Sequence, residues 1–172
     1  MGRAGVIGVL VVALLGLTPC GPSAADPGTP GGGEGAGVLQ NLGPNDPGRQ
    51  RCTIRGTPDE DDLTGTSGND VICGMGGDDI IRGAAGDDVI LGGVGDDTLL
   101  GNAGNDVFVG GAGDDTITGA NGNDVMVGGD GDDTLLGNAG TDVFVGADGA
   151  DSCSGSSGTD TGVTCEEMTG IP

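Results

Sequence analysis

Hydrophobic and polar positions recur with a nine-residue period from Gly65 to about Asp160. Each regular row has Gly at its first and fourth places, Asp at the sixth and, almost always, a large apolar residue at the eighth, as in GAAGDDVIL at residues 83–91. Degraded rows begin at Gly56 and Gly155. A fixed internal period predicts stacked structural units that share one continuous core.

The last three residues of each row predict a short β-strand. Strand side chains alternate between faces, so the eighth place points into the core and the seventh and ninth point outward. The preceding six residues form a loop in which Gly supplies positive φ and close backbone approach. A loop of this kind turns carbonyl oxygens inward, which suits a hard cation. The loop glycines of the first two regular rows include Gly65, Gly68, Gly74 and Gly77. The expected core residues are Ile72, Ile81, Ile90, Leu99, Phe108, Ile117, Met126, Leu135 and Phe144.

These rows resemble the Gly-Gly-x-Gly-x-Asp-x-U-x nonapeptides of the RTX (haemolysin-type) calcium-binding family. The resemblance extends over roughly Gly56 to Val163, and about ten rows in unbroken register make it specific. It implies an all-β fold, a right-handed parallel β-roll (β-solenoid), in which two rows form one turn and the Gly-rich loops bind calcium. Rows 18 residues apart would then be neighbours in one sheet, ~4.8 Å from each other.

The sixth-place aspartates form two ladders in such a roll. Two carboxylates ~5 Å apart repel by ~3 kcal/mol at an effective dielectric constant of ~20. A divalent cation between successive rungs removes this repulsion, whereas the preference of Asp for turns does not explain its strict register. We therefore expect about seven or more Ca²⁺ ions. One ladder contains Asp79, Asp97, Asp115 and Asp133, the other contains Asp70, Asp88, Asp106, Asp124 and Asp142, and the degraded rows add Asp61, Asp151 and Asp160.

Composition and charge agree with cation binding. The 172 residues include 42 Gly, no His and no Lys, and the formal net charge is −22. Such acidity disfavours nucleic acid and anionic membrane surfaces as partners. We expect no enzyme activity, because no His is available as a general base and Ser clusters only at the degenerate ends. The pair Asp78-Asp79 resembles the two carboxylates of a glycosidase. Acidic residues recur at these places along the rows, however, which favours a role in calcium binding and in the turns over catalysis.

Residues 1–25 predict a secretory signal peptide. Arg3 supplies the positive charge, residues 5–17 the apolar stretch and residues 23–25 a small-residue cleavage site. The apolar stretch is too short to span a membrane. A lipoprotein attachment site at Cys20 is the less favoured alternative, because the residue before it is Pro.

Beyond the signal peptide the chain divides into two parts. Residues 26–51 are rich in Gly and Pro and have no apolar period, which predicts a flexible linker. The calcium-binding roll is expected over residues 52–168.

Four cysteines follow the signal peptide. An even number in a secreted chain suggests disulfides, and four cysteines allow three pairings. In the roll that the RTX resemblance implies, Cys52 lies about one turn before Cys73, and Cys165 lies just beyond Cys153. We therefore expect the bonds Cys52–Cys73 and Cys153–Cys165, one closing each end of the roll.

One outer face of the expected roll is almost entirely aliphatic. It carries Leu91, Val109, Val127 and Val145 at ninth places, beside a seventh-place column that we call the Val face: Val71, Val89, Val107, Val125 and Val143. Apolar patches of a few hundred Å² are uncommon on monomers, which favours self-association or contact with another secreted protein. Plain strand propensity is the alternative explanation.

The sequence thus predicts an extracellular calcium-binding repeat protein that acts as a calcium-dependent binding or surface module. A structural spacer without a partner and a non-catalytic subunit of a secreted hydrolase are the alternatives. The chain departs from RTX proteins in one respect. They generally leave the cell with a C-terminal signal, whereas the signal expected here is N-terminal.

Overall fold

The structure of the protein is a computed structural model that describes residues 52–169. The signal peptide expected at residues 1–25, with Cys20, and the linker expected at residues 26–51 lie outside the described residues. Residues 52–169 form β-strands and no helix, and hence no helix that could cross a membrane. The strands are β1 (Ile54–Arg55), β2 (Asp62–Thr64), β3 (Val71–Cys73), β4 (Ile80–Ala85), β5 (Val89–Val94), β6 (Thr98–Ala103), β7 (Val107–Ala112), β8 (Thr116–Asn121), β9 (Val125–Asp130), β10 (Thr134–Ala139), β11 (Val143–Asp148), β12 (Ser152–Ser154), β13 (Thr161–Val163) and β14 (Glu167–Thr169).

The strands alternate between two seven-stranded parallel sheets. The odd-numbered strands form one sheet in chain order, and the even-numbered strands form the other. Phe108 pairs with Ile90 on one side and with Met126 on the other, each 18 residues away. Two rows therefore make one turn. The predicted all-β fold class and parallel β-roll are confirmed, with about six turns.

The eighth-place residues form the core between the two sheets. All nine, from Ile72 to Phe144, have a relative exposure of 0%, and Leu63 and Cys153 extend the column at its two ends. The predicted inward direction of the eighth place is confirmed. Each row contributes one large apolar side chain, so the core is thin.

The backbone of the loops differs from the expectation in one respect. Left-handed φ occurs at second and fourth places, for example at Met75 (φ 95°) and Gly77 (φ 91°). Gly65, Gly68 and Gly74 do not have positive φ, so the expectation was wrong for these three. First-place Gly is required for close approach instead, because a side chain there would collide with the sixth-place Asp of the same row.

Disulfides tie both ends of the roll. One joins Cys52, just before β1, to Cys73 at the end of β3, and the other joins Cys153 in β12 to Cys165, between β13 and β14. The Cα atoms are 5.9 Å apart in each pair. This is the pairing that we expected from the sequence, and it restrains the terminal rungs, which have only one neighbouring turn.

The outer side of the odd-numbered sheet is less exposed than predicted. Its Val face is aligned in register and is half-buried up to Val143, which is 36% exposed. The ninth-place residues Leu91, Val127 and Val145 are only 6%, 6% and 3% exposed, although they lie outside the core cluster. The expected exposure of these three is wrong, because branched side chains in register at ~4.8 Å cover one another.

Replacing Phe108 with Ala should lower the free energy of unfolding of the calcium-loaded protein by about 3–5 kcal/mol, because it leaves a cavity in a fully buried column. Thr116→Ala, on the exposed side of the other sheet, should change this free energy by less than about 0.5 kcal/mol. Urea unfolding followed by circular dichroism measures both. Equal effects of the two substitutions would contradict the inward direction of the eighth place.

Candidate metal sites

The sixth-place aspartates lie at the two edges of the roll, immediately before the strands. They are buried: none from Asp70 to Asp160 is more than 8% exposed, and Asp79, Asp106 and Asp124 are 0% exposed. The 18-residue register arranges them in two ladders, as the sequence predicts. One edge carries Asp61, Asp79, Asp97, Asp115, Asp133 and Asp151, and the other carries Asp70, Asp88, Asp106, Asp124, Asp142 and Asp160.

Backbone N–H groups hold one oxygen of each sixth-place carboxylate from Asp79 to Asp160. The N–H of Asp97 donates to Oδ1 of Asp115 at 2.8 Å, and the N–H of Asp106 donates to Oδ1 of Asp124 at 2.8 Å. Ten such bonds of 2.8–3.0 Å connect the rungs along both edges. Because Oδ1 is fixed in every rung, the position of Oδ2 is fixed as well.

The other oxygen, Oδ2, lacks a hydrogen-bond partner among residues 52–169 at ten consecutive sixth places, from Asp79 to Asp160. All ten Oδ2 atoms are buried. A buried carboxylate oxygen without a partner costs free energy. Its recurrence in every turn indicates a common partner, either a proton or a cation.

In six of the ten rows, the space at the first-place glycine borders both Oδ2 and a backbone carbonyl oxygen of the next turn. A Cβ placed on Gly110 would lie 2.2 Å from Oδ2 of Asp115 and 2.8 Å from the carbonyl oxygen of Gly128. No side chain fits there, which explains why the first place is Gly in every regular row. A carboxylate oxygen and a carbonyl oxygen thus converge on one small space, and both are ligands that hard divalent cations prefer.

This ligand set fits calcium. Within residues 52–169 no three His, Cys, Asp or Glu side chains converge, so a cation here would complete its shell with backbone carbonyls and water. Ligands that are all oxygen favour Ca²⁺ or Mg²⁺ over softer metals. Ca²⁺ accepts six to eight oxygens in flexible geometry, whereas Mg²⁺ demands a near-ideal octahedron, so a site built largely of backbone suits Ca²⁺ better.

Burial also perturbs the acidity of these carboxyls. Burial is the largest cause that raises the pKa of Asp115 and Asp133 to about 7 and that of Asp106 to about 6, from an ordinary value of 3.8. The hydrogen bond to Oδ1 opposes the rise in pKa, and neighbouring carboxylates add to it. At Asp70 burial also raises the pKa, but hydrogen bonds, chiefly from Thr66, outweigh it and lower the pKa.

In the first row at each edge, a Thr of the same row donates hydrogen bonds to Oδ2 of the sixth-place Asp. The N–H and hydroxyl of Thr66 donate to Oδ2 of Asp70 at 2.7 and 2.8 Å. Those of Thr57 donate to Oδ2 of Asp61 at 2.6 and 3.0 Å. Asp61 and Asp70 therefore differ from the ten aspartates that follow. Thr occupies the second place only in these two rows, and this difference from the regular rows is the signal that distinguishes them in the sequence.

Other side chains complete the Oδ1 ladder at its ends. The hydroxyl of Thr53 donates to Oδ1 of Asp70 at 3.0 Å, where a preceding turn would otherwise supply an N–H. At the other end, Oε2 of Glu166 accepts the N–H of Asp151 at 2.6 Å, in place of a further sixth-place Asp. Neither residue carries a periodic signal in the sequence, because both lie outside the regular rows.

The fifth-place residues form a second ladder that runs in the opposite direction. The N–H of Asp114 donates to Oδ1 of Asp96 at 2.9 Å, and the N–H of Asn123 donates to Oδ1 of Asn105 at 2.9 Å. Asp and Asn present the same acceptor, so either serves. We did not predict this ladder, although the fifth place is Asp or Asn in every row from residue 69 to residue 132 and differs only in the degraded first row, at Glu60, and in the rows after residue 132.

Comparison with models of known protein families shows to which family this chain belongs. The sequence model of the RTX calcium-binding nonapeptide repeat, which describes four copies, matches residues 55–90, 91–126 and 127–161. The chain belongs to the RTX calcium-binding repeat family. No curated protein and no solved structure shows a significant match to this RTX chain.

Acidification in the presence of chelator should stabilise the roll. Folded carboxyls with a pKa of about 6 to 7 hold protons that unfolded ones, with a value of 3.8, release. Their contribution to stability is therefore fully present below ~pH 4 and is lost as pH rises through 6 to 7. Circular dichroism in chelator should show β-structure decreasing from pH 4 to pH 8, and saturating calcium should reduce this dependence. An increase of β-structure with pH in chelator would contradict the raised pKa of these buried carboxyls.

Proposed function

We propose that the protein is a secreted, non-catalytic RTX repeat module that folds when several Ca²⁺ ions bind between its stacked Gly-rich turns. The observation that carries the proposal is the row of ten buried Oδ2 atoms that have no partner among residues 52–169. Membership of the RTX family supports calcium as the cation.

The sixth-place aspartates would hold the ions together with first-place carbonyl oxygens of the following turn. Successive carboxylates at ~4.8 Å repel one another along both edges, and a Ca²⁺ ion in each gap removes that repulsion. The unpartnered rungs leave four gaps at each edge, which supports the expectation of seven or more ions. The proposed ligands are Asp79, Asp88, Asp97, Asp106, Asp115, Asp124, Asp133, Asp142, Asp151 and Asp160.

The disulfides and the expected calcium affinity both favour an extracellular location. Disulfides form and persist mainly in oxidising compartments, and two tie this roll. Extracellular calcium modules bind calcium with dissociation constants of ~0.1–1 mM. A chain that needs millimolar calcium would stay unfolded where calcium is scarce and fold after export. Secretion through the expected signal peptide, in preference to lipidation at Cys20, completes this proposal.

The biological role that we favour is calcium-dependent binding or surface display. A spacer without a partner and a non-catalytic subunit of a secreted hydrolase are the two competing roles. Affinity capture from culture medium with and without chelator separates them. A partner that is captured only with calcium supports the binding module, no partner supports the spacer, and co-purifying hydrolase activity supports the subunit.

Calcium should drive folding of the roll, and a sixth-place charge should matter more for calcium binding than the fifth-place side chain beside it. In chelator at pH 7.5 the far-UV circular dichroism spectrum should be that of a disordered chain, because the net charge is −22 and the core is thin. Adding calcium should produce a β spectrum. Asp106→Asn keeps an Oδ1 acceptor for the N–H of Asp88 but removes a charge from two neighbouring gaps, so it should raise the calcium midpoint at least ~10-fold.

Asn105→Ala is the matched control for this experiment. It removes two exposed hydrogen bonds, one from the N–H of Asn123 and one to Oδ1 of Asp87, each worth about 1 kcal/mol, but no charge, so its calcium midpoint should stay near that of wild type. A β spectrum that is already complete in chelator would refute calcium-driven folding. A larger effect of Asn105→Ala than of Asp106→Asn would refute the sixth-place ligands.

The binding part of the proposal has one candidate surface, the Val face, and we propose a second copy of the chain as its occupant. Its five Val residues are in register along the odd-numbered sheet. A flat column of identical residues is complementary to itself under a two-fold axis, the commonest symmetry of soluble oligomers. Binding of calcium also neutralises the charge that would keep two copies apart.

Replacing Val107 and Val125 with Lys should abolish this self-association and leave calcium-induced folding intact, because both side chains lie on the outer, half-buried column. The matched control replaces Thr98 and Thr116, at the same places of the other sheet, with Lys. Light scattering with calcium should find dimers for wild type and the control, and monomers for the Val variant. A calcium-loaded wild type that is strictly monomeric would reject a second copy as the occupant. Capture of another secreted protein through this face would instead identify that protein as the occupant.

A further inference from the structure

The two edges of the roll carry different charge at the fifth place. Because rows alternate between edges, one edge has carboxylates in four successive turns, and we call it the acidic edge: Asp78, Asp96, Asp114 and Asp132. The other edge, the amide edge, has one carboxylate among its fifth-place residues: Asn69, Asp87, Asn105, Asn123 and Thr141. On the acidic edge the third-place residues Asp130 and Asp148 add two further carboxylates in register.

We infer that the two edges are two classes of calcium site, and that the acidic edge binds calcium more tightly and fills first. This inference rests on the proposed calcium function and deepens it. Each fifth-place residue from Asp78 to Thr141 directly precedes a proposed ligand, so a carboxylate there adds one negative charge next to every gap of the acidic edge. The charge count around an oxygen site is one of the two properties that set calcium affinity in proteins, and site rigidity is the other.

The hydrogen bonds that hold the fifth- and sixth-place side chains are alike at the two edges. On the acidic edge the fifth-place Oδ1 atoms accept N–H groups of the next turn at 2.8–3.0 Å. On the amide edge they accept the equivalent groups at 2.7–3.0 Å. The sixth-place Oδ1 bonds are equally uniform at both edges. The fifth- and sixth-place hydrogen bonds of the backbone are therefore matched at the two edges. The second loop place differs, with Gly93, Gly111 and Gly129 on the acidic edge and Ala84, Asn102 and Ala120 on the amide edge, but all six have positive φ. The fifth-place charge is the difference that acts directly on a cation.

The fifth-place carboxylates also stay fully available to act through charge. Asp78, Asp96, Asp114 and Asp132 are exposed, and none of them has a salt-bridge partner among residues 52–169. Their N–H and Oδ1 contacts hold the side chains over the edge, so their negative charges cannot swing away from it. A cation that approaches the acidic edge therefore meets two carboxylates per turn, and one that approaches the amide edge meets mostly one.

Exchange of Asp and Asn tests this inference, because the two side chains share the acceptor oxygen and differ in charge. The triple variant Asp96→Asn, Asp114→Asn, Asp132→Asn gives the acidic edge the chemistry of the amide edge. The double variant Asn105→Asp, Asn123→Asp makes the opposite change and serves as the matched control. Calcium is titrated into each protein in competition with a chromophoric chelator. The amide signals of Asp115 and Asp106 are followed by NMR in wild type, over the calcium concentrations at which circular dichroism already shows a folded roll.

In wild type we expect two classes of ions whose affinities differ at least ~10-fold, and the Asp115 signal should change at lower calcium than that of Asp106. The triple variant should lose the tight class without losing ions, and the double variant should tighten the weak class. One class in wild type, with Asp115 and Asp106 responding together, would overturn the inference while leaving the calcium function intact. So would calcium binding that is indifferent to both exchanges. A protein that binds no calcium would overturn the proposed function and this inference together.

Discussion

A carboxylate oxygen buried at the same place in every turn is the constraint on which this structure depends. The N–H of the preceding turn fixes Oδ1 of each sixth-place Asp from Asp79 to Asp160, and Oδ2 then faces the first-place glycine of its own row. Ten such oxygens have no partner among residues 52–169. The fold therefore leaves a buried oxygen in need of a partner in every one of these turns, and in our proposal a Ca²⁺ ion between successive rungs is that partner.

The core, the edges and the ends share the task of holding the roll together. Each row contributes one buried apolar side chain, so most of the cohesion between turns comes from hydrogen bonds and, in our proposal, from calcium. The two ladders of side-chain oxygens, at the fifth and sixth places, run in opposite directions and connect every turn to both of its neighbours. Terminal turns lack one neighbour, and there Thr57, Thr66, Glu166 and the two disulfides replace the repeating contacts.

The fold could be predicted from the sequence because the nine-residue period determines it. A residue type that recurs at the same place of every row, as at Phe108 and Asp106, shows that the place is buried in every turn. What escaped prediction depends on contacts between turns. We expected first-place glycine to have positive φ, but it does not. The space that its side chain would fill is occupied by Oδ2 of Asp115 and of the equivalent aspartates in other rows. The role of Thr66 was not predicted because a hydroxyl that donates to the sixth-place Oδ2 occurs only where the repeat begins. The burial of Leu91 depended on side chains stacked 18 residues apart, which a single row does not show.

Anomalous X-ray diffraction from crystals of the calcium-loaded protein tests the central claim most directly. We predict calcium peaks along both edges of the roll, each at ~2.3–2.6 Å from a sixth-place Oδ2, in the turns between Asp79 and Asp160. A folded, calcium-loaded roll whose Oδ2 atoms in those turns contact only protein or water, with the calcium peaks elsewhere, would contradict it.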